Sequence, residues 1–163
     1  MITWGTGDGL TRIRAIAADL AAALSTGEDF IPYSHLGLTF AEVEKGRVEL
    51  MWTPSATVLN RGGIVHGGYI ATALDEACGV AAISLSEPAT PFVTMQLSVD
   101  YLRPLLVGSV YRVVGTVQQS GSIRTLARTE ISDSAGRLCA QATGTLTPNR
   151  RILSAAAEAR AGQ

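Results

Sequence analysis

The residues best placed to do chemistry lie in the segment 60–79, which reads NRGGIVHGGYIATALDEACG. His66-Gly67-Gly68 opens a long apolar stretch, and a helix that begins there presents unpaired N–H groups and a partial positive charge. Because glycine has no Cβ, a carbonyl group can approach Gly67 and Gly68 closely. Fixed donors at such a position stabilise the charge that develops on an attacked carbonyl oxygen, each by roughly 3 kcal/mol. The segment therefore predicts an oxyanion hole.

The acid that could act beside this hole is Asp75, about two helical turns beyond Gly67. At 100° per residue its helix face is otherwise made of small residues: Gly68, Ala71, Cys78, Gly79 and Ala82. A substrate or another chain can therefore come close to the carboxylate, which must be desolvated or reach a cleft on this apolar helix. The alternative is that Asp75 and Glu76 form a solvated pair. We interpret Glu76, about 100° away, as a structural residue paired with an arginine.

The remaining polar candidates each have a structural alternative. His66 either shapes the site or only starts the helix, and Asn60 could be a loop residue in the left-handed conformation. Cys78 is best read as a small buried apolar residue. No serine stands in a nucleophile-elbow pattern, and neither His35 nor the two cysteines stand at metal-ligand spacing from another ligand type. We expect neither a metal nor a bound cofactor.

The elements that position these residues follow from the hydrophobic periodicity. Helices are predicted over 8–24 and from Gly67 to about Leu85, the second nearly free of charge. Strands are predicted at 38–43, 47–53, 93–102, 110–118, 123–132 and 138–147, and the tail from Asn149 as a frayed helix. Short turns make neighbouring strands antiparallel, and the apolar helix must cover one face of their sheet. This is an α+β layer fold, with the whole chain 1–163 as a single domain.

The strand at 93–102 alternates strictly between apolar and polar residues. This alternation places Val93 and Met95 on the apolar face and Thr94 on the polar face, away from the helix. A β-bulge at the start of the strand would instead turn Thr94 toward the helix.

Composition narrows the class of protein. A net charge of −1 without a basic block gives no footprint for nucleic acid. The high apolar content, 47% against 17% charged residues, hints at buried subunit contacts. No apolar run is long enough to span a bilayer, and residues 1–8 do not resemble a signal peptide. With two widely separated cysteines, we expect a cytoplasmic protein that does not contact membranes.

Asn60, His66-Gly67-Gly68, Asp75 and Gly79 stand at the spacing of the active-site signature of the PaaI-like thioesterases. That family is named for phenylacetic-acid degradation and belongs to the hotdog superfamily. The resemblance runs from about Leu36 to Pro148 and includes the stretch VTMQLSVDYLRP at 93–104. It implies a hotdog core over about 36–148, with a sheet wrapped around the central helix, an added N-terminal helix and loop over 1–35, and a tail over 149–163.

The resemblance also implies a reaction and its residues. Acyl-CoA thioesters would be hydrolysed to free acid and coenzyme A, without a cofactor. The backbone N–H of Gly67 would be the oxyanion donor, and Asp75 the general base or the nucleophile. Asn60 would hold the acyl group or the attacking water, His66 would support the Asn60 loop, and Thr94 would orient the water.

Substrate-binding residues are less sharply defined by the sequence. Gly68, Tyr69, Phe92 and Met95 are candidates for the acyl pocket, and Arg124, which follows the Ser120-Gly121 turn, is the preferred candidate for the phosphates of coenzyme A. In the family, Gly67 of one chain faces Asp75 of another, so the resemblance implies a homodimer, and further a dimer of dimers. Two alternatives are a non-catalytic acyl-CoA-binding protein and an enoyl-CoA hydratase-type enzyme on the same fold.

Overall fold

The computed structural model describes residues 7–26 and 33–151. The helices are α1 Gly9–Thr26, the short α2 Tyr33–Leu36 and α3 Gly67–Ser84, with a 3₁₀ turn at Ala56–Val58. The strands are β1 Leu38–Glu44, β2 Arg47–Trp52, β3 Phe92–Tyr101, β4 Tyr111–Ser120, β5 Thr125–Ser132 and β6 Leu138–Pro148. The predicted helices and strands are confirmed, with ends that move by up to two residues, and α2 was not predicted. The predicted tail helix lies outside the described residues beyond Arg151.

The strands form one antiparallel sheet in the order β1-β2-β4-β5-β6-β3. Strand β3 pairs with β6 although β4 and β5 separate them in sequence order, and this pairing places β3 at one edge. Strand β1 forms the other edge. The α+β class and the wrapped-sheet architecture are thus confirmed. None of the helices within the described ranges is long and apolar enough to cross a bilayer.

Helix α3 packs against the inner face of the sheet, as its lack of charge predicts. Its fully buried side chains include those of Ala73, Leu74, Ala77 and Ala81, which meet buried strand residues such as Val48, Leu50, Val113 and Ile131. Glycines in the strands permit this close approach. A Cβ at Gly115 would lie 2.3 Å from the carbonyl oxygen of Ala77, and one at Gly144 would lie 2.8 Å from Sγ of Cys78.

The segment before the core closes over the outer side of α3. The N–H of Gly9 donates to the carbonyl of Ser86 at 2.7 Å, and a Cβ at Gly9 would overlap the carbonyl oxygen of Ile83. The indole N–H of Trp52 donates to the carbonyl of Leu36 at 2.7 Å. These contacts hold α1 and α2 against the core, where Ile13, Ile16 and Leu20 are buried.

Strand β3 contains the bulge that the sequence left as an option. Its register against β6 shifts between Thr94 and Gln96, so Met95 is displaced outward and is 68% exposed. Strict alternation from residue 93 was therefore wrong. Val93 and Met95 are exposed, whereas Thr94 is half-buried and faces α3, and Leu97 restores the inward apolar pattern beyond the bulge.

Candidate functional site

Helix α3 begins with a side-chain cap. His66 has extended backbone angles, φ −66° and ψ 136°, and its Nδ1 accepts a hydrogen bond of 3.0 Å from the N–H of Gly68. An accepting Nδ1 carries no hydrogen, so this geometry assigns the neutral ring with its hydrogen on Nε2. Tyr69 stands edge-on to this ring with centroids 6.4 Å apart. His66 therefore acts as the N-cap of the helix.

The first turn of α3 leaves one backbone donor free. Tyr69 and Ile70 donate their N–H groups to the carbonyl of His66 at 3.0 and 3.3 Å, and Gly68 donates to the imidazole. The N–H of Gly67 has no acceptor within residues 7–26 and 33–151. A helix has four N–H groups without helical partners at its start, here those of residues 66–69; Gly68 and Tyr69 are satisfied as described, and the N–H of His66 donates to the carbonyl of Val58 at 2.8 Å. Gly67 thus presents a single available donor at the positive end of the helix.

The loop before the helix is folded around Asn60. Oδ1 of Asn60 accepts from the N–H of Gly62 at 2.8 Å and from that of Ile64 at 3.4 Å. None of the described non-glycine residues has a positive φ, so the left-handed interpretation of Asn60 is wrong, and Gly63 takes that role with φ +77°. Because Oδ1 is the acceptor, the amide NH₂ of Asn60 remains available as a donor.

Asn60 and Gly67 line the same cleft, which has a volume of about 330 Å³ and is bounded by Asn60, Ile64, Val65, Gly67, Ile70, Tyr101, Leu102, Arg103 and Pro104. Tyr101, at the end of β3, donates a hydrogen bond of 3.0 Å from its hydroxyl to the carbonyl of Gly67. Sequence reasoning missed Tyr101 as a site residue. Its only signal was its place in the 93–104 stretch, which does not show that β3 ends beside the start of α3.

The second group of predicted residues consists of Asp75, in the middle of α3, and Thr94 of β3. The hydroxyl of Thr94 donates a hydrogen bond of 2.7 Å to Oδ1 of Asp75, and both residues are half-buried. Oδ2 of Asp75 has no hydrogen-bond partner in the part of the chain that the structure describes. This oxygen is free to accept a proton or to attack, while Thr94 fixes the orientation of the carboxylate.

Within one chain these two groups lie apart. Gly67 and Asp75 are eight residues apart on one helix, which is roughly 12 Å along its axis at 1.5 Å per residue. The structure brings Asn60, His66 and Gly67 together at the helix start, and brings Asp75 and Thr94 together further along. A single reacting atom therefore cannot contact both groups of one chain.

Glu76 has a partner other than the expected arginine. The phenol of Tyr33 in α2 donates a hydrogen bond to its carboxylate, so the interpretation as an arginine pair is wrong. Burial raises the pKa of Glu76 above its ordinary value, an effect that the Tyr33 hydrogen bond opposes and the nearby Asp75 charge reinforces. Burial likewise raises the pKa of the Tyr33 phenol, which remains a hydrogen-bond donor.

Cys78 is fully buried on the sheet side of α3, with Sγ 3.9 Å from the hydroxyl of Thr129. Burial raises the pKa of this thiol to about 11, so it is neutral and unreactive. Cys139 is also buried and free. No cluster of three or more His, Cys, Asp or Glu side chains in the described ranges could hold a metal ion.

The predicted substrate-binding residues are spread around these groups. Gly68 lies in the capped first turn, where its carbonyl accepts from the hydroxyl of Thr72 at 2.9 Å, and Tyr69 is 41% exposed next to it. Phe92 is half-buried and packs against the small core cluster that contains Cys78. Arg124 is exposed in the turn before β5, at the end of the sheet where Thr94 lies.

A second cleft opens at that end of the sheet. It has a volume of about 440 Å³ and is lined by Val93, Ser122, Ile123, Thr147, Pro148, Asn149, Arg150 and Arg151. The guanidinium of Arg150 donates to the carbonyl of Ser122 at 2.9 Å, and the hydroxyl of Thr147 donates to that of Ile123 at 2.7 Å. These bonds tie the turn before β5 to the end of β6.

Comparison with known proteins agrees with this architecture. Residues 62–140 match the model of the thioesterase superfamily. The protein named Putative esterase SSO2140 of Saccharolobus solfataricus is 33% identical over 114 residues, which cover 69% of this chain and 79% of that protein. The chain therefore belongs to the thioesterase superfamily.

Solved structures identify the fold within that superfamily. The structure of smu.793 from Streptococcus mutans UA159, bound to acetyl CoA, matches with a TM-score of 0.65 at 27% identity and covers 69% of this chain and 88% of that chain. The E. coli PaaI protein from the phenylacetic acid degradation operon matches with a TM-score of 0.69 at 22% identity, over 81% and 92% of the two chains. The fold is the hotdog fold of PaaI-like thioesterases.

Proposed function

We propose that this protein hydrolyses acyl-CoA thioesters to a free acid and coenzyme A, in sites that combine Gly67 of one chain with Asp75 of a second copy. The observation that carries the proposal is the free N–H of Gly67 at the start of an apolar helix whose other first-turn donors are satisfied. Membership of the thioesterase superfamily and the acetyl CoA bound to the S. mutans protein support the substrate class.

The Gly67 N–H would receive the thioester oxygen. As water attacks, that oxygen gains negative charge, and a donor fixed before the reaction stabilises the charge without reorganisation. The amide NH₂ of Asn60 lines the same cleft and is the second donor that the acyl carbonyl would meet. His66 supports the turn that carries the Gly67 N–H through the helix cap rather than by taking a proton, since its Nδ1 is already an acceptor.

Asp75 would supply the base. Thr94 holds Oδ1, and the free Oδ2 takes a proton from a water molecule whose oxygen attacks the acyl carbon. The tetrahedral intermediate then collapses, the C–S bond breaks, and the proton returns to the departing thiolate to give coenzyme A and the acid. Direct attack by Oδ2 is the competing mechanism, because a carboxylate can also act as a nucleophile. Apart from the thioester, the proposed reaction needs only water.

The distance between Gly67 and Asp75 within one chain requires a second chain. The two groups of one chain lie roughly 12 Å apart along α3, so a site that uses both must take one of them from another copy. Strand β3 offers the contact, because it is a ten-residue edge strand whose only charged residue is Asp100 and whose Val93, Met95 and Tyr101 are exposed. The opposite edge, β1, carries Glu42 and Glu44, which pair with Arg47. Long edge strands with little charge readily pair with another strand.

The phosphates of coenzyme A would bind at the basic end of the sheet. Arg150 and Arg151 line the second cleft, and Arg124 lies in the turn that Arg150 contacts. We expect Arg124→Gln to raise KM for an acyl-CoA but not for the same acyl group on N-acetylcysteamine, which lacks the phosphates. An equal rise in KM for both thioesters would show that Arg124 does not bind the phosphates.

The function is tested by thiol release from a panel of acyl-CoAs with a variant that removes only the donor. Gly67→Pro deletes the N–H at the first helical position, where proline is favoured, and the extended backbone of His66 suits a residue before proline. We expect it to lose about 10²–10³ in kcat. Gly67→Ala keeps the N–H, and its Cβ would meet Tyr101 at an ordinary 3.4 Å, so it should lose far less.

The proposal fails if no acyl-CoA in the panel releases thiol above the uncatalysed rate. Tight binding of acyl-CoA without release would point to the non-catalytic alternative. Loss of activity in Gly67→Ala equal to that in Gly67→Pro would show that the space around Gly67, and not its N–H, is what matters.

A further inference from the structure

We infer that Tyr101 is a positioning residue that holds the Gly67 N–H in line for the substrate oxygen. The inference rests on the proposed function and adds a residue to it. The peptide unit between Gly67 and Gly68 is clamped at both ends: its carbonyl accepts from the Tyr101 hydroxyl at 3.0 Å, and its N–H donates to Nδ1 of His66 at 3.0 Å. A peptide unit held through both polar groups cannot rotate.

The preceding peptide unit, which carries the Gly67 N–H itself, is held through its oxygen. The carbonyl of His66 accepts from Tyr69 and Ile70, and the N–H of His66 donates to the carbonyl of Val58 at 2.8 Å. The Gly67 N–H therefore lies between fixed neighbours although it has no described partner of its own. Two consecutive glycines have more backbone freedom than any other pair, so external contacts must fix this turn.

Tyr101 is well placed to fix the first turn of α3. The residue ends β3, where it pairs in register with Ala140 of β6, so its backbone belongs to the sheet and not to a loop. A Cβ at Gly67 would lie 3.4 Å from the Tyr101 ring, which shows that the ring is packed against the glycine as well as hydrogen-bonded to it. The hydroxyl thus links the rigid sheet to the first turn of the helix.

The first test separates the hydroxyl from the ring. Tyr101→Phe keeps the ring that lines the cleft and removes the hydrogen bond to Gly67. We expect kcat to fall about three- to tenfold, the factor associated with one neutral hydrogen bond, with KM unchanged. A thermal melt close to that of the wild type is expected because the variant keeps the ring and loses only one hydrogen bond. An unchanged kcat, or a rise in KM alone, would overturn the inference.

The second test asks whether Tyr101 acts through Gly67. In a double-mutant cycle, Tyr101→Phe should lower kcat in the wild type and have no further effect in the Gly67→Pro background, which has no N–H to position. An equal factor in both backgrounds would overturn the inference and leave the proposed function intact. If Gly67→Pro alone leaves kcat unchanged, the oxyanion role fails first, and the positioning role fails with it.

Discussion

The hydroxyl of Thr94 and the carboxylate of Asp75, 19 residues apart in the chain, are joined by a hydrogen bond of 2.7 Å. The contact exists because the bulge at Met95 turns Thr94 inward at the start of β3. It leaves Oδ2 of Asp75 as the oxygen available for chemistry. The bulge therefore contributes to the site although Met95 itself points outward.

Asp75→Asn should lose at least about a hundredfold in kcat while remaining folded, because general acid–base and nucleophilic roles are worth that much. The matched control is Glu76→Gln, which keeps an oxygen to accept from Tyr33 and should lose far less. Thiol release and far-UV circular dichroism check both variants. Equal losses of kcat in the two variants would contradict the assignment of Asp75 as the catalytic acid.

Mixing two inactive variants should restore activity if each site is shared between chains. In a dimer of Asp75→Asn with Gly67→Pro, one site has both groups intact and the other has neither. Random pairing at equal amounts should give about a quarter of the wild-type activity, since half the dimers are mixed and each has one working site. The controls are the two variants, each expressed alone and purified by the same procedure. A mixture no more active than its parents would rule out a site that combines Gly67 of one chain with Asp75 of another.

Glu76 should make stability depend on pH. Burial raises its pKa above the ordinary value of 4.5, so the folded chain binds this proton more tightly than the unfolded chain. The associated stability is fully present below that ordinary value and is lost as the pH rises through the raised pKa. As the pH rises above 4.5, denaturant unfolding should show the wild type losing stability relative to Glu76→Gln. If the free energy of unfolding varied with pH in the same way for both proteins, this account would be contradicted.

Two glycine substitutions should have opposite effects on the free energy of unfolding. A Cβ at Gly115 would lie 2.3 Å from the backbone oxygen of Ala77, so Gly115→Ala must push α3 off the sheet and should cost about 1–3 kcal/mol or more. Apart from its chain neighbours and the adjacent backbone of α3, no described atom lies within 4 Å of a Cβ added at Gly79, so Gly79→Ala should stabilise the helix by up to about 1 kcal/mol. Urea unfolding measures both, and similar values would contradict the packing of α3.

The role of Asp75 can be resolved by a single turnover in ¹⁸O-water with enzyme in excess. General-base attack by water puts the label in the product acid only. Attack by the carboxylate makes a mixed anhydride, and its hydrolysis at the enzyme side leaves label in Asp75. We expect unlabelled Asp75, measured by mass spectrometry of the peptide that contains it. Labelled Asp75 would assign the nucleophilic mechanism.

Much of the architecture was predictable because local patterns carry it. The apolar run after Gly68 predicted a buried helix, and alternation located the strands to within two residues. The same helical period separated Asp75 from Glu76 by about 100°, which agrees with the different partners that the two acids have. The prediction of strict alternation was wrong at Val93 and Met95. A bulge shifts the strand register by one residue and has no reliable sequence signal.

By itself, the sequence determined where α3 starts, which residues share its faces and which residue types stand at its first turn. Only the tertiary structure decided what those residues meet. Tyr101 contacts Gly67 across 34 residues, and Tyr33 contacts Glu76 across 43. Hydrophobic periodicity indicates the helix or strand to which a residue belongs and the face on which it lies. These pairs depend instead on how separate elements pack together. The edge position of β3 arises in the same way, from its pairing with β6.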